Sequence, residues 1–161
     1  MKKFIIASLL FLAPVSLYAA NNPDIEKLGM AMKMNCNDVG EDSCFARFIS
    51  LAACTFSYGI AHSEKRVSDS FDVADGLFIL LAKGNKLNPK NMFDENNLIK
   101  QPIREETVER VAKCEDWTRK AIPKIVLEKT GKPATPEFIE GATKTFGFWW
   151  LGTLEQIKRG Q

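Results

Sequence analysis

A chain of 161 residues with 45% hydrophobic and 26% charged side chains has the composition of a globular protein and excludes a disordered or fibrous one. Its formal net charge of +2 is carried by Lys2 and Lys3; the other 20 of its 22 basic residues balance 20 acidic ones. Near-neutrality without a run of like charges argues against nucleic acid or an anionic membrane surface as partner.

In chain order, the first element is a targeting segment. Lys2 and Lys3, the apolar run from Phe4 to Val15 and the small pair Ala19-Ala20 have the layout of a secretory signal peptide over residues 1–19. The run is short of the roughly 20 residues that span a bilayer stably. Cleavage is expected after Ala19, with Ala20 as the alternative, leaving 20–161 as one helical domain large enough to bury a core. Such a signal points to a soluble bacterial protein of the periplasm, or one secreted beyond it, where cysteines are oxidised. No later apolar run approaches membrane-spanning length, the nearest being Phe146 to Leu151, so no integral membrane segment is expected in the mature chain.

The periodicity beyond this point is helical throughout. Asn22-Pro23-Asp24 starts a first helix with an N-cap, a proline at the first position and an early acid, and Ile25, Leu28 and Met32 give it one apolar stripe. A polar turn from Asn35 to Ser43 leads to a second helix, roughly Ser43 to His62. Its Phe45, Phe48, Ile49, Ala52, Phe56 and Ile60 share one face, and Leu51, Cys54, Tyr58 and Ala61 the other, as in the central helix of a bundle. A third helix begins near Ser68 or Ser70 as N-cap and ends at Gly84-Asn85. From Gly84 to Ile103 the chain is polar and weakly periodic, the kind of long connection that is often functional.

A fourth helix runs from about Arg104 through Val111, Cys114, Trp117, Ala121 and Ile125, with Pro123 expected to kink or break it and Gly131, Pro133 and Pro136 ending the segment. Thr135-Pro136-Glu137 caps a fifth, whose stripe is Ile139, Ala142, Phe146, Trp149, Trp150 and Ile157. The fold class expected is therefore all-α: a single-domain bundle of about five helices, braced by two disulfides.

Cys44 and Cys54 sit about 15 Å apart along one helix at about 1.5 Å per residue, beyond the roughly 7 Å that a disulfide tolerates. Cys36 and Cys44 flank a turn, Cys54 lies on the second face of the central helix, and Cys114 lies mid-stripe on the fourth helix. The favoured pairing is Cys36–Cys44 with Cys54–Cys114; free core cysteines are the alternative.

No G-x-S-x-G, H-E-x-x-H, Walker or G-x-G-x-x-G pattern occurs. His62, the only histidine, ends an apolar helix and reads as a helix-end residue rather than a base. Asp69, Asp72 and Asp75 read as complements to a helix dipole. No catalytic residue, cofactor or metal ligand is assigned. The densest aromatic cluster is Phe146-Gly-Phe-Trp-Trp, in which Phe146, Trp149 and Trp150 read as core. Phe148 and Leu151 project to the other side, beside Glu140, Lys144 and Glu155. With Met92 and Phe93 of the polar connection, they are the candidate partner-binding residues: apolar anchors within a polar rim.

The segment Val111-Ala-Lys-Cys-Glu-Asp-Trp117 resembles the Lys-Cys-x-Asp-aromatic segment of the type VI secretion amidase immunity proteins, and Leu51-Ala-Ala-Cys-Thr-Phe-Ser-Tyr58 is similar to their upstream cysteine helix. The resemblance covers about residues 52–129; Cys36, Cys44 and the tryptophan-rich last helix have no counterpart in it. It implies a small helical periplasmic protein, often a homodimer, that blocks a secreted cell-wall amidase by inserting a loop into its cleft. The competing readings are a cofactor-free envelope enzyme and a helical envelope protein that binds lipid or assists assembly.

Overall fold

The computed structural model describes residues 36–63 and 66–160. The signal peptide and the first helix expected from Asn22 lie outside the described residues. Within them are five α-helical segments: α1 (Glu41–His62), α2 (Val67–Gly84), α3 (Gln101–Val111), α4 (Glu115–Thr130) and α5 (Pro136–Arg159). Short 3-10 turns occupy Pro89–Met92 and Ala112–Cys114, the second joining α3 to α4 end to end. The only β feature among the described residues is an isolated antiparallel bridge between Phe93 and Ile99.

The apolar faces of α1 dictate its place. Every residue from Cys44 to Ile60 is buried, with α2, α3 and α4 packed around it and α5 laid across α3 and α4. Burying Phe45, Phe48, Ile49 or Phe56 fully stabilises the fold by roughly 1.5–3 kcal/mol each. By length and mean hydropathy, 1.4 over its most apolar window, α1 is long and apolar enough to cross a membrane, which a search for unbroken apolar runs overlooks. Its surface is instead covered by the other helices. Of the polar groups taken inside, Ser50 Oγ donates to the Ala46 carbonyl at 2.5 Å, and the Ser57 and Thr118 hydroxyls meet at 3.1 Å between α1 and α4, while Thr55 Oγ1 is buried without a hydrogen-bond partner among the described residues.

Both expected disulfides are present. Cys36–Cys44 closes the turn before α1 with its Cα atoms 5.4 Å apart, and Cys54–Cys114 ties α1 to the α3–α4 junction with its Cα atoms 5.7 Å apart.

Two boundaries differ from the sequence reading. Neither Ser68 nor Ser70 caps α2; the Val67 N–H donates to Glu128 Oε2 at 2.8 Å, so the cap comes from α4, and Ser70 is buried. The expected fourth helix is two segments, with the break at Ala112–Cys114 rather than at Pro123, which lies inside α4. A proline forfeits a single intrahelical hydrogen bond, and the α4 helix persists on both sides of it. The cap of α5 follows the sequence: Thr135 Oγ1 accepts the Phe138 N–H at 3.2 Å. Close packing of α5 on α3 depends on Gly147, where a Cβ would stand 3.2 Å from Val108 Cα.

Candidate functional site

The 84–103 connection is built rather than loose. Asn88 caps the first 3-10 turn by accepting the Lys90 N–H at 3.1 Å, and Pro89 begins that turn. Met92, Ile99 and Ile103 then drop into the core at 4%, 2% and 0% exposure. Between them the chain makes a tight protruding turn. Asp94 N–H donates to the Leu98 carbonyl at 2.8 Å, and Asp94 Oδ1 accepts the N–H groups of Asn96 (2.8 Å) and Leu98 (2.9 Å). Asn97 takes the left-handed conformation, φ 57°, that asparagine tolerates better than most residues. Residues 94–98 are all exposed, and Leu98 stands 40% exposed.

The base of this turn is fastened to the last helix through Glu155. Its Oε1 accepts the buried Ile99 N–H at 2.9 Å and an Arg104 Nη1–H at 2.5 Å, while Arg159 lies 3.9 Å from its second oxygen. Lys158 adds a cation–π contact over Phe93, 5.5 Å from the ring centroid. Lys100 pairs with Asp42 at 3.5 Å, and Asn91 donates to Glu41 at 2.7 Å, anchoring the connection to the start of α1.

This arrangement corrects half of the expected partner-binding set. Met92 and Leu151 are buried, at 4% and 0% exposure, as members of the hydrophobic core; neither reaches a partner. Glu155, expected in an exposed rim, is 6% exposed because it turns inward to the Ile99 amide and Arg104. Phe93 is half-buried at the base of the turn, and Phe148 is open, at 54% exposure. Trp149 and Ile157, expected in the core, are exposed at 46% and 53%, whereas Phe146 and Trp150 are buried as read. The sequence reading passed over Leu98 because a lone leucine among asparagines carries no periodic signal.

Phe56 of α1 organises the aromatic cluster, with Trp150 at 5.2 Å, Trp149 at 6.0 Å and Phe71 edge-on at 6.2 Å. His62 is exposed at the end of α1 with its ring 4.5 Å from Tyr58. A second polar centre lies on α3. Burial pushes the Glu106 carboxyl up, but hydrogen bonds from Ser43 (2.6 Å) and Arg110 (2.5 Å), with the charges of Arg110 and Arg47, outweigh it and hold the group below its ordinary value. Asp75 of α2 is shifted the other way, upward, by burial and then by the neighbouring Asp72. On the far side of the bundle, α4 and the first half of α5 leave an open apolar groove of about 770 Å³.

Fold and site together define a disulfide-braced all-α protein with a preorganised exposed turn. Comparison with protein-family models, curated proteins and solved structures gave no match.

Proposed function

We propose that the chain is a periplasmic binding protein, an immunity protein that blocks a cell-wall-degrading amidase stoichiometrically by presenting the Asp94–Leu98 turn to the enzyme's cleft. The observation that carries this reading is the turn itself. It exposes an acidic and apolar tip, Asp94, Glu95 and Leu98, on a base locked by Met92, Ile99 and Glu155. A loop already held in its bound shape loses little conformational entropy on docking, so more of its contact energy appears as affinity. Further support comes from the Cys54–Cys114 disulfide, which joins the two segments that carry the family resemblance. Phe148 supplies a second exposed apolar contact on α5.

The test begins with the gene beside this one, which this reading expects to encode a secreted amidase. The purified pair should form a stable complex that abolishes amidase activity. Leu98→Ala should weaken it by about thirtyfold or more, the loss of at least about 2 kcal/mol that removing an interface anchor brings. Phe148→Ala should cost less, with both variants keeping the native helical spectrum. Full inhibition by both folded variants at wild-type affinity would remove the turn from the interface. A wild-type chain that binds no amidase and shows turnover lost in His62→Ala would replace the reading with an enzyme.

A further inference from the structure

The groove between α4 and α5 is separate from the turn and is not used by the reading above. Val67, Ile122 and Phe146 form its floor, at 8%, 4% and 4% exposure, and Phe138 and Trp149 stand at its rim, at 55% and 46%. Along α5 it runs from Phe138 to Trp149, about 16 Å at roughly 1.5 Å per residue. Its volume, about 770 Å³, falls in the range of small-molecule sites.

The chemistry of the lining selects the occupant. The one hydroxyl in it, Thr145 Oγ1, is already committed to the Gly141 carbonyl at 3.0 Å. A peptide laid here would lose water from its amides and gain few partners, which is costly. A polymethylene chain has no such groups to satisfy. The one charged residue in the lining is Lys129, near the end of α4, and it makes no ion pair among the described residues. The neighbouring acid, Glu128, is engaged by the Val67 N–H. An apolar trough with one unpaired cation is complementary to a single-chain amphiphile with an anionic head. We propose that this groove is a binding site for a free fatty acid, its alkyl chain along the floor of Ile122 and Phe146 and its carboxylate at the Lys129 ammonium.

The test is calorimetric titration of the purified mature chain with straight-chain alkanoates up to dodecanoate, each below its micelle-forming concentration. One-to-one saturable binding is expected, strengthening by about fourfold per added methylene while the groove fills. Dodecyltrimethylammonium should bind at least tenfold more weakly than dodecanoate, and Lys129→Glu should reverse that preference. Gly141→Phe fills the groove from a position where an added Cβ meets no atom within 4 Å, so the variant should fold and lose dodecanoate binding. Four outcomes overturn the proposal: no saturable binding, binding that ignores chain length, dodecanoate binding unchanged in folded Gly141→Phe, or equal affinity for both head groups. A wild-type chain that refuses dodecanoate but dimerises, with the dimer lost in Gly141→Phe, would assign the groove to a second copy instead.

Discussion

Within α5, residues 136–149 and residues 150–159 belong to one continuous helix and carry apolar residues on more than one face, yet they end in different surroundings. In the second half the 84–103 connection meets the helix through Ile99 on Glu155 and Phe93 under Lys158: Leu151 is fully buried, and Glu155 pairs with Arg104 and the buried Ile99 amide, while Ile157 on another face stays exposed. In the first half nothing among the described residues covers the outer side, and Phe138, Phe148 and Trp149 stay about half exposed. Whether an apolar residue on such a helix becomes core or surface is decided by what the rest of the chain lays across it. That information is absent from the helix's own pattern.

The contrast can be broken at several points. The largest effect should come from the brace beneath both halves: replacing Cys54 and Cys114 together by alanine releases a loop with a sequence separation of 60 and should cost about 4 kcal/mol on the loop-entropy model. Denaturant titration under non-reducing conditions measures it, and the corresponding loss for Cys36–Cys44, with a separation of 8, should be smaller. Next, Leu151→Ala in the covered half should destabilise by about 3 kcal/mol, through lost burial and the cavity left behind. Phe148→Ala in the open half should stay within about 0.5 kcal/mol of wild type. Equal losses at the two positions would show that both halves are covered in solution.

Glu155→Ala should cost about 2–3 kcal/mol, because it leaves the buried Ile99 N–H without its acceptor and Arg104 without its partner. It should also release the turn, so fast amide exchange at residues 94–99 is expected alongside the lower midpoint.

The smallest effects are those of pH, and they have opposite signs. Glu106 has a lowered pKa in the folded chain, so the unfolded chain binds its proton more readily. Its contribution is present above the unfolded value and is lost as pH falls through the folded one. Asp75 has a raised pKa, so ionising it costs stability above its folded value, and acidification relieves that cost. Glu106→Gln should therefore lower stability at neutral pH and Asp75→Asn should raise it, both differences shrinking as pH falls through the carboxylate range. Thermal melts across that range check the signs.

The helices, both disulfides and most of the core were legible because they follow from local patterns. A helix apolar on every side, as α1 is from Cys44 to Ile60, needs cover all round, and in a bundle the centre supplies it. Ten residues of helix keep Cys44 from Cys54, which excludes one of the three pairings, and the turn flanked by Cys36 and Cys44 favours one of the other two. The features that were not legible are tertiary. Glu128 capping α2 from 61 residues away cannot be seen at Ser68 or Ser70. Nor can a polar connection announce that Met92 and Ile99 plug the core while Leu98 stands out. Trp149 carries the periodicity of a core residue and meets Phe56 of α1 on one side, yet it lies half exposed at the rim of a groove because no segment among the described residues covers its other side.

The most direct test of the central claim is hydrogen exchange of the wild-type chain, alone and mixed with the amidase that the proposed function expects the neighbouring gene to encode. The account predicts new protection at the Asp94–Leu98 turn and around Phe148, with exchange along Phe138–Phe146 unchanged. Protection confined to the α4–α5 groove, with the turn exchanging as it does in the free chain, would contradict it.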